Sequence, residues 1–534
     1  MQQYNTGNPD RHQRLTAAVL PLLVLAGIAA FFYSLTWGDQ VAGYLSDDAI
    51  YLIMAQVFSP WPHATDLLQQ FMRTDSHFPP LYPVLLGLFG AGPQDPALAS
   101  AISIAFLVIA VAVFGVWVYL ETGRRLPALL LPVVFALLPG TVIFTQGLWS
   151  EFLFMVFFYA ALALAAVREP DRSHWLACSL FIALTSLTRA VGVAFIAAYC
   201  LYLILKRPRY YLLQIPVAAL PFLYWATIIN VRSTEHGYFG ILLGALSSEQ
   251  GRWSGLYHAL LLKLAAMYRG WEWQFRVSDI LPGSGWLIHA VLACLLLAAL
   301  AGFLQRLRHA RLDALCLLAY AATVIVWPFS DQNFVTRFVF PVTPLLLFYA
   351  VHAAGMLAYR PRRVAVLLLC AAVIISAWSP ATYVLQRAYA PAPEGLAPYK
   401  HDYAWFYSRS LKDAVASARG SRDLFQALRK VGTLVPENEC IFSFQTALVM
   451  LHTHRISGVY PPPSVSDAAF AHATRGCRYM LALPLTSINS DFPEYYPLQR
   501  IAKDPSYTIT PIRADTADAD HSSPVILIRR NTGG

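Results

Sequence analysis

Charged residues are scarce in this chain. They make up 13% of its 534 residues, whereas hydrophobic residues make up 57%. An ordinary soluble protein carries about 25% charged residues. The mean hydropathy is +0.50. This composition excludes an ordinary soluble globular protein and predicts a polytopic membrane protein, because only lipid tolerates so much apolar surface outside a protein core.

Metal-binding and nucleic-acid-binding patterns are also missing. The seven cysteines form no C-x-x-C pair and no Cys/His spacing of the kind that binds zinc. The net charge is +9, but no basic patch interleaved with aromatic residues is visible, so nucleic acid is not a predicted partner. Five cysteines lie in apolar runs and are interpreted as small core residues: Cys178, Cys200, Cys294, Cys316 and Cys370.

Apolar runs divide residues 1–381 into about eleven predicted transmembrane helices, since each span needs about 20 apolar residues. The first run follows Arg11 and Arg14 and is too long for the core of a signal peptide, so we interpret it as a retained helix. The predicted spans lie near residues 15–36, 97–119, 127–145, 151–167, 176–188, 190–205, 211–230, 285–304, 313–329, 338–358 and 364–381.

The basic loops predict the orientation. With the N-terminus in the cytoplasm, all the basic clusters fall on the cytoplasmic side, as the positive-inside rule requires. These clusters are ETGRRLP, REPDRSHW, KRPRYY, QRLRHAR and YRPRR. The unusual polar residues then collect on the opposite face, in a first outer loop (37–96) and a long loop near 231–284. We therefore expect a multi-pass protein of a bacterial inner membrane, with its C-terminal region in the periplasm.

Two short segments of the first outer loop are predicted to be helices that do not span. DDAIYLIMAQVF has apolar residues at helical spacing and is predicted to lie on the membrane. PPLYPVLLGLFGAG is interpreted as an interfacial or re-entrant helix, with proline at its start. If it spanned, ETGRRLP would fall outside and the charge pattern would break.

The composition changes after the last span. Segment 382–419, which contains APAPEGLAPYK, is predicted to be a linker. Segment 420–534 alternates predicted helices and strands, which indicates a small α/β domain outside the membrane. Cys440 and Cys477 each open a predicted strand there. In an oxidising compartment they can form a disulfide, and free buried cysteines are the alternative.

Asp47 and Asp48 lie where the first span meets water. A carboxylate at this boundary can accept a proton from a hydroxyl nucleophile, or it can simply favour the N-terminus of the next helix. Arg189 and Arg337 lie at the outer ends of apolar helices, where ionisable residues are unfavourable and often functional. Arginine suits phosphate because its planar fork binds oxygens bidentately. A snorkelling or structural role is the alternative for both arginines.

Further candidates lie in the outer loops. Glu151 opens a helix and is either a ligand-binding acid or a capping residue. His77, in SHFPPLY, is either a loop or capping histidine or a metal ligand. The loop 231–284 is where we expect selectivity, with Arg269 and Trp271 in YRGWEWQFR contacting sugar or acceptor. Its aromatic residues can equally form an interfacial belt.

Five motifs that contain these residues, all on one face, resemble in their order those of the GT-C superfamily of membrane glycosyltransferases. The superfamily includes protein O-mannosyltransferases and aminoarabinose transferases. The resemblance covers roughly residues 1–360. The first loop has SDDAIY where the mannosyltransferases commonly have D-E, and no lysine-rich lipid A signature is found. The motifs are the acidic pair after the first helix, H-x-P-P-L-Y ending at Tyr82, S-E at Glu151, L-T-R-x-x-G at Arg189 and R-F-x-x-P at Arg337.

The resemblance implies transfer of a sugar from a polyprenyl-phosphate-linked donor to an acceptor hydroxyl on the extracytoplasmic face. It implies a single inverting displacement in which Asp47 deprotonates the acceptor, while Arg337 and Arg189 stabilise the leaving phosphate. Asp48 orients the acceptor or, with Asp47, holds a divalent cation such as Mg²⁺ or Mn²⁺. Some members of the superfamily use no metal, so the cofactor stays open.

The same resemblance implies that Glu151, His77 and Tyr82 contact the sugar or the acceptor. The acceptor class, whether lipid, glycan or protein, stays open. An O-antigen polymerase or ligase differs mainly in that acceptor. A transporter or flippase would place ionisable residues in mid-span and show inverted repeats, which are not evident. A noncatalytic envelope assembly protein would tolerate Asp47→Asn and Arg337→Ala.

Overall fold

The computed structural model describes most of the chain, with gaps mainly in the loops. The described residues are 11–36, 47–61, 78–167, 171–206, 211–229, 253–276, 286–327, 332–357, 359–400, 405–406, 408, 410–443, 445–459, 466–484, 501, 503–515 and 524–531. His77 lies outside them.

Helices dominate the described residues, and the larger hydrophobic core lies between them. The helices are α1 (Arg11–Thr36), α2 (Asp47–Phe58), α3 (Leu81–Leu88), α4 (Pro96–Thr122), α5 (Arg125–Ala136), α6 (Pro139–Phe144), α7 (Glu151–Ala165), α8 (Arg172–Thr188), α9 (Val193–Lys206), α10 (Tyr211–Tyr224), α11 (Trp253–Arg276), α12 (Trp286–Arg308), α13 (Leu312–Val326), α14 (Gln332–Val339), α15 (Thr343–Gly355), α16 (Tyr359–Tyr389), α17 (Leu411–Leu434), α18 (Thr446–Thr453) and α19 (Asp467–Ala473).

Among the described residues, three helical runs are long and apolar enough to cross a membrane by length and composition. They are Pro96–Thr122, Trp286–Arg308 and Val335–Gly355, the last formed by α14 and α15 with a 3₁₀ turn between them. Shorter apolar helices, including α5, α7 and α13, pack beside them. The predicted class, a mainly helical membrane protein with a small sheet near its C-terminus, is confirmed.

One predicted span is interrupted, and a break expected between two others is present. The span near 127–145 breaks where α5 ends at Ala136 and α6 starts at Pro139, because proline suits a first helical turn and disrupts an interior. The expected break at SLTRAVG is present, since Arg189 is extended and a 3₁₀ turn (Ala190–Gly192) leads into α9. A Cβ at Gly192 would lie 2.7 Å from Ser186 Cα, so only glycine fits this tight turn.

Two of the basic loops, ETGRRLP and QRLRHAR, meet at one end of the bundle. Arg306, at the end of α12, forms a two-pronged ion pair with Asp313 at 2.7 Å from each guanidinium nitrogen. Its guanidinium also contacts Glu121, at the end of α4, at 3.2 Å, and Arg311 contacts the same carboxylate at 3.1 Å. Tyr349 completes this buried network by donating to Asp313 at 2.8 Å. The network joins the ends of α4 and α12 and the start of α13 to the middle of α15.

Helix α2 is buried, although we expected it to lie on the membrane surface. Residues Asp48 to Gln56 are all buried. The helix packs against α3 on one side and against α18 of the C-terminal region on another. Ala447 and Met450 of α18 belong to the same core as Leu52. An amphipathic pattern cannot distinguish a lipid-facing helix from one covered by a distant segment of its own chain.

The C-terminal region contains one mixed five-stranded sheet. The strands are β1 (Ile441–Ser443), β2 (Ser457–Val459), β3 (Tyr479–Ala482), β4 (Tyr507–Ile512) and β5 (Val525–Arg530). Their order is β2-β1-β3-β5-β4, with β1 parallel to β2 and β3, and β5 antiparallel to β3 and β4. A disulfide joins Cys440 and Cys477, whose Cα atoms are 5.1 Å apart. It ties the start of β1 to the approach to β3.

The segment that we expected to be a linker is partly helical. Helix α16 extends past residue 381 to Tyr389, and α17 begins at Leu411, well before residue 420. Ser410 caps α17 by accepting the backbone N–H of Asp413 at 3.1 Å, which is the usual way to start a helix. The side chain of Trp405 is buried and donates to the carbonyl of Arg387 at 3.0 Å, so this stretch packs back on α16.

Candidate active site

Four ionisable residues converge from four separate elements. Asp47 opens α2, Glu151 opens α7, Arg189 lies in the break between α8 and α9, and Arg337 lies in the last turn of α14. Both acids stand at helix N-termini, where the helix dipole favours negative charge. We call these four residues the carboxylate–arginine cluster. Sequence reasoning predicted all four as site residues, and the structure brings them together.

Arg337 is the centre of the cluster. Its Nη1 donates to Asp47 Oδ2 at 2.6 Å, and its Nε donates to Glu151 Oε1 at 2.8 Å. The guanidinium carbon also lies 4.3 Å from the centroid of the Trp149 ring. A planar, permanently charged fork suits this arrangement, because it can contact two carboxylates and stack on an aromatic face at once.

Glu151 is fully buried and forms ion pairs with two arginines. Its Oε1 accepts from Arg337 and also forms an ion pair with Arg189 Nη1. A buried carboxylate is tolerated when it is paired, and here two guanidinium groups supply the opposite charge. Some hydrogen-bonding capacity is left over. Glu151 Oε2, Arg189 Nε and Trp149 Nε1 have no hydrogen-bond partner within the described ranges.

The adjacent acids Asp47 and Asp48 have different surroundings. The side chain of Asp47 is 20% exposed and contacts Arg337. Asp48 is only 2% exposed, and its Oδ1 accepts the backbone N–H of Ala49 at 3.0 Å. Successive residues on a helix point about 100° apart, so the two carboxylates point in different directions. Asp47 is in contact with Arg337.

An aromatic layer supports the cluster from behind. Tyr51, one turn after Asp47, shares a hydrogen bond with Ser150 at 3.0 Å between the two hydroxyl oxygens. The ring of Tyr82 meets Tyr51 edge-on at 4.9 Å, and its hydroxyl bonds to Ser103. Burial raises the pKa of Tyr51 above its ordinary value. Tyr82 therefore lies one layer behind the cluster.

The two residues predicted in the long loop are part of a helix. Arg269 is exposed on α11. Trp271 is buried, its indole N–H donates to the carbonyl of Leu292 at 3.2 Å, and its ring meets Phe275. It thus packs α11 against α12. Aromatic residues form 13% of the chain, so an aromatic residue in an outer segment carries little information about sugar binding.

Sequence reasoning missed three contacts of the cluster. Trp149 stacks on Arg337, Ser150 lies 3.4 Å from Arg189 Nη1, and Tyr51 bonds to Ser150. The signal was available for one of them, because Tyr51 is four residues after Asp47 and therefore on the same helical face. Trp149 and Ser150 directly precede Glu151, but nothing in the sequence says which neighbours of a helix N-terminus turn inward.

The divalent cation that the resemblance leaves open stays a prediction. No group of three or more His, Cys, Asp or Glu side chains among the described residues is placed to hold a metal. Asp47 Oδ2 receives a hydrogen bond from Arg337, and Asp48 Oδ1 receives one from Ala49. A Mg²⁺ or Ca²⁺ site needs six or so oxygen ligands in a suitable geometry. We derive no step through a metal.

Comparison with solved structures supports, at the level of the fold, the resemblance predicted from the sequence. The chain is similar to the crystal structure of ArnT from Cupriavidus metallidurans in the apo state. The TM-score is 0.51 at 14% sequence identity, over 96% of this chain and 98% of that chain. At this identity the likeness establishes the fold.

Two other solved structures are more distant. One is ArnT from Cupriavidus metallidurans bound to undecaprenyl phosphate, with a TM-score of 0.48 and 13% identity over 97% of this chain and 98% of that chain. The other is the archaeal oligosaccharyltransferase AglB from Archaeoglobus fulgidus, in complex with an inhibitory peptide and a dolichol-phosphate. Its TM-score is 0.48 at 14% identity, over 86% of this chain and 69% of that chain. No protein-family model and no curated protein matches the chain.

Proposed function

We propose that this protein transfers a sugar from a polyprenyl-phosphate-linked donor to an acceptor hydroxyl on the extracytoplasmic face of a bacterial inner membrane. One observation carries the proposal. A single guanidinium, that of Arg337, contacts both Asp47 and Glu151 at the ends of apolar helices. This places a candidate base and a candidate phosphate ligand within one hydrogen bond of each other.

The charges of the cluster suit a phosphate leaving group. A phosphate that joins lipid and sugar carries one negative charge, and the lipid phosphate that leaves gains a second. Arg337 and Arg189 therefore bind the leaving group more strongly than the donor, which is the condition for accelerating the chemical step. The buried Glu151 holds both guanidinium groups in place. Its Oε2 has no hydrogen-bond partner among the described residues, but it is buried, so a sugar hydroxyl can reach it only if the cluster opens.

Asp47 is the proposed base. The acceptor oxygen attacks the anomeric carbon while its proton passes to Asp47 Oδ2, and the bond from that carbon to the phosphate oxygen breaks with inversion. Asp47 is exposed enough to reach an acceptor, whereas Asp48 is buried. Arg337 now occupies Oδ2, so the donor phosphate must draw the guanidinium away before the carboxylate can take the proton. Donor binding would thus free the base.

Product analysis in cells tests this function. Cells lacking the protein are complemented with wild type, Asp47→Asn or Asp48→Asn, and their envelope glycolipids and glycans are compared by mass spectrometry. We expect a hexose- or pentose-sized mass with wild type that disappears with Asp47→Asn. General-base removal costs about 10²- to 10⁴-fold in rate. The same mass would also identify the acceptor as lipid, glycan or protein.

The two variants separate the possible roles. A product restored fully by Asp47→Asn would remove Asp47 as the base, and its loss only with Asp48→Asn would transfer that role. No mass difference between wild type and the deletion would argue for transport or for a noncatalytic role in envelope assembly. Equal amounts of each variant in the membrane fraction are the necessary control.

A further inference from the structure

A second candidate ligand site lies on the outside of the helix bundle. A groove of about 690 Å³ runs between α1, α4 and α5. Its lining is mostly aliphatic, with one cationic residue, Arg125. Leu20 and Val116 in its walls are 54% and 53% exposed, so the groove opens on the outer surface of the bundle. A volume in this range accommodates a ligand rather than a few waters.

The groove runs along the helices. Its lining extends from Leu20 to Ile28 on α1, from Val111 to Tyr119 on α4 and from Arg125 to Val133 on α5. Each stretch covers roughly 12 Å at 1.5 Å per residue. One leaflet contributes about 15 Å to the hydrocarbon core of a bilayer. A single acyl chain of one leaflet therefore matches the groove in direction and length.

The floor of the groove is rigid. Pro132 has no N–H, so the carbonyl of Ala128 cannot receive its usual helical hydrogen bond. Gly115 of α4 packs directly on this carbonyl, since a Cβ there would lie 2.8 Å from Ala128 O and 3.2 Å from Pro132 Cγ. The two helices touch by their backbones behind the groove. Its depth is thus set by the fold and does not depend on movable side chains.

One end of the groove carries positive charge. Arg125 is exposed at the first turn of α5 and forms no ion pair with another residue in the described part of the chain. The N-terminus of α5 adds the positive end of a helix dipole. Tyr119, also in the lining, is 44% exposed at the same level. Tyrosine and arginine at a helix end typically lie at the depth of lipid headgroups.

The groove is separate from the carboxylate–arginine cluster. Ser103 of α4 lies behind that cluster, and Tyr119 lies roughly 24 Å farther along the same helix. Arg125 follows Glu121 by four residues, at the end of the bundle where ETGRRLP and QRLRHAR meet. We propose that the groove binds an anionic phospholipid from the leaflet on that side, with one acyl chain in the groove and its phosphate on Arg125.

Native mass spectrometry of the full-length protein tests this proposal. The protein is released from detergent after equilibration with phosphatidylglycerol or phosphatidylcholine, and bound lipid is quantified. Val116→Trp, which fills the groove, should weaken phosphatidylglycerol binding by at least about tenfold, since displacing two methylene groups already has that effect. Arg125→Gln should weaken it about fivefold, the effect of one basic residue near an anionic lipid.

Matched controls lie on the same elements. Ile109→Trp adds similar bulk to α4 outside the groove, so it should bind phosphatidylglycerol like wild type. Arg124→Gln removes a neighbouring charge that does not line the groove, so it should weaken binding less than Arg125→Gln does. Ala112→Leu provides a milder filling of the groove if Val116→Trp does not fold. If Val116→Trp and Ala112→Leu both bind phosphatidylglycerol as tightly as wild type does, the proposal is overturned. Equal binding of both lipids, or retention of detergent only, would also overturn it.

Discussion

Arg337 Nη1 lies 2.6 Å from Asp47 Oδ2, although 290 residues separate the two in the chain. The contact joins the helix after the first span to the helix before a late one. It gives the cluster a closed state in which the candidate base and the candidate phosphate ligand neutralise each other. A donor phosphate that competes for Arg337 would open this state, so donor binding and base activation are coupled in our proposal.

Replacing Arg337 by lysine should abolish most of the activity. An ammonium group keeps the charge, but it cannot donate in fixed directions to Asp47 and Glu151 at the same time. We expect a loss of about 10²- to 10³-fold, typical of removing one donor that stabilises a developing negative charge. The product mass from complemented cells measures this loss. Arg475→Lys, at an exposed position of the C-terminal domain, is the matched control. An Arg337→Lys variant with full activity would exclude a bidentate role.

The sequence predicted the charged residues of the site better than it predicted the residues that pack around them. Asp47, Glu151, Arg189 and Arg337 stand out because ionisable residues beside apolar helices are rare and unfavourable. Their supports depend on tertiary packing. The burial of α2 depends on α18, which lies in a different predicted domain. No local pattern in DDAIYLIMAQVF predicts that α18, far away in the sequence, packs over it.

The strands of the C-terminal sheet were also only partly predicted from the sequence. Strand β4 was not predicted, because YTITPI contains Pro511 and has mostly exposed side chains. Proline is tolerated in a strand only at a sheet edge or at its ends, and β4 is an edge strand. The β1 and β3 strands were predicted, since their sequences are apolar and they occupy the interior of the sheet.

Glu151→Gln should lower stability as well as activity. The glutamine would leave Arg189 and Arg337 without their shared buried carboxylate, and breaking a buried ion pair costs about 3–5 kcal/mol. Asp47→Asn removes a partner that is 20% exposed, so its effect on unfolding should be about 1 kcal/mol or less. Thermal unfolding in detergent compares the two. Glu394→Gln, an exposed glutamate, is the control. Equal stability of Glu151→Gln and wild type would mean that the two ion pairs contribute little to folding.

Asp313→Asn should lower stability without changing the chemistry. Asp313 accepts two bonds from Arg306 and one from Tyr349, so its loss leaves a buried guanidinium without its main partner and costs about 3–5 kcal/mol. The network includes Glu121, which lies roughly 27 Å along α4 from Ser103. We therefore expect the thermal unfolding temperature to fall while product formed per folded molecule stays at the wild-type value. A fall in both would indicate coupling between the two ends of the bundle.

The disulfide between Cys440 and Cys477 should stabilise the C-terminal domain. The two residues are 37 apart in sequence, and closing a loop of that size stabilises a domain by about 4 kcal/mol. The Cys440→Ser/Cys477→Ser variant should therefore lose protease resistance in its C-terminal domain at a lower temperature than wild type. Reducing agent should bring wild type to the same temperature, and it should leave the variant unchanged.

The same disulfide tests the orientation of the chain. Disulfides persist in oxidising compartments, so cysteines alkylated in intact cells without reduction would contradict a periplasmic domain. That result would reverse the orientation we predicted from the basic loops and, with it, the face on which the proposed transfer occurs.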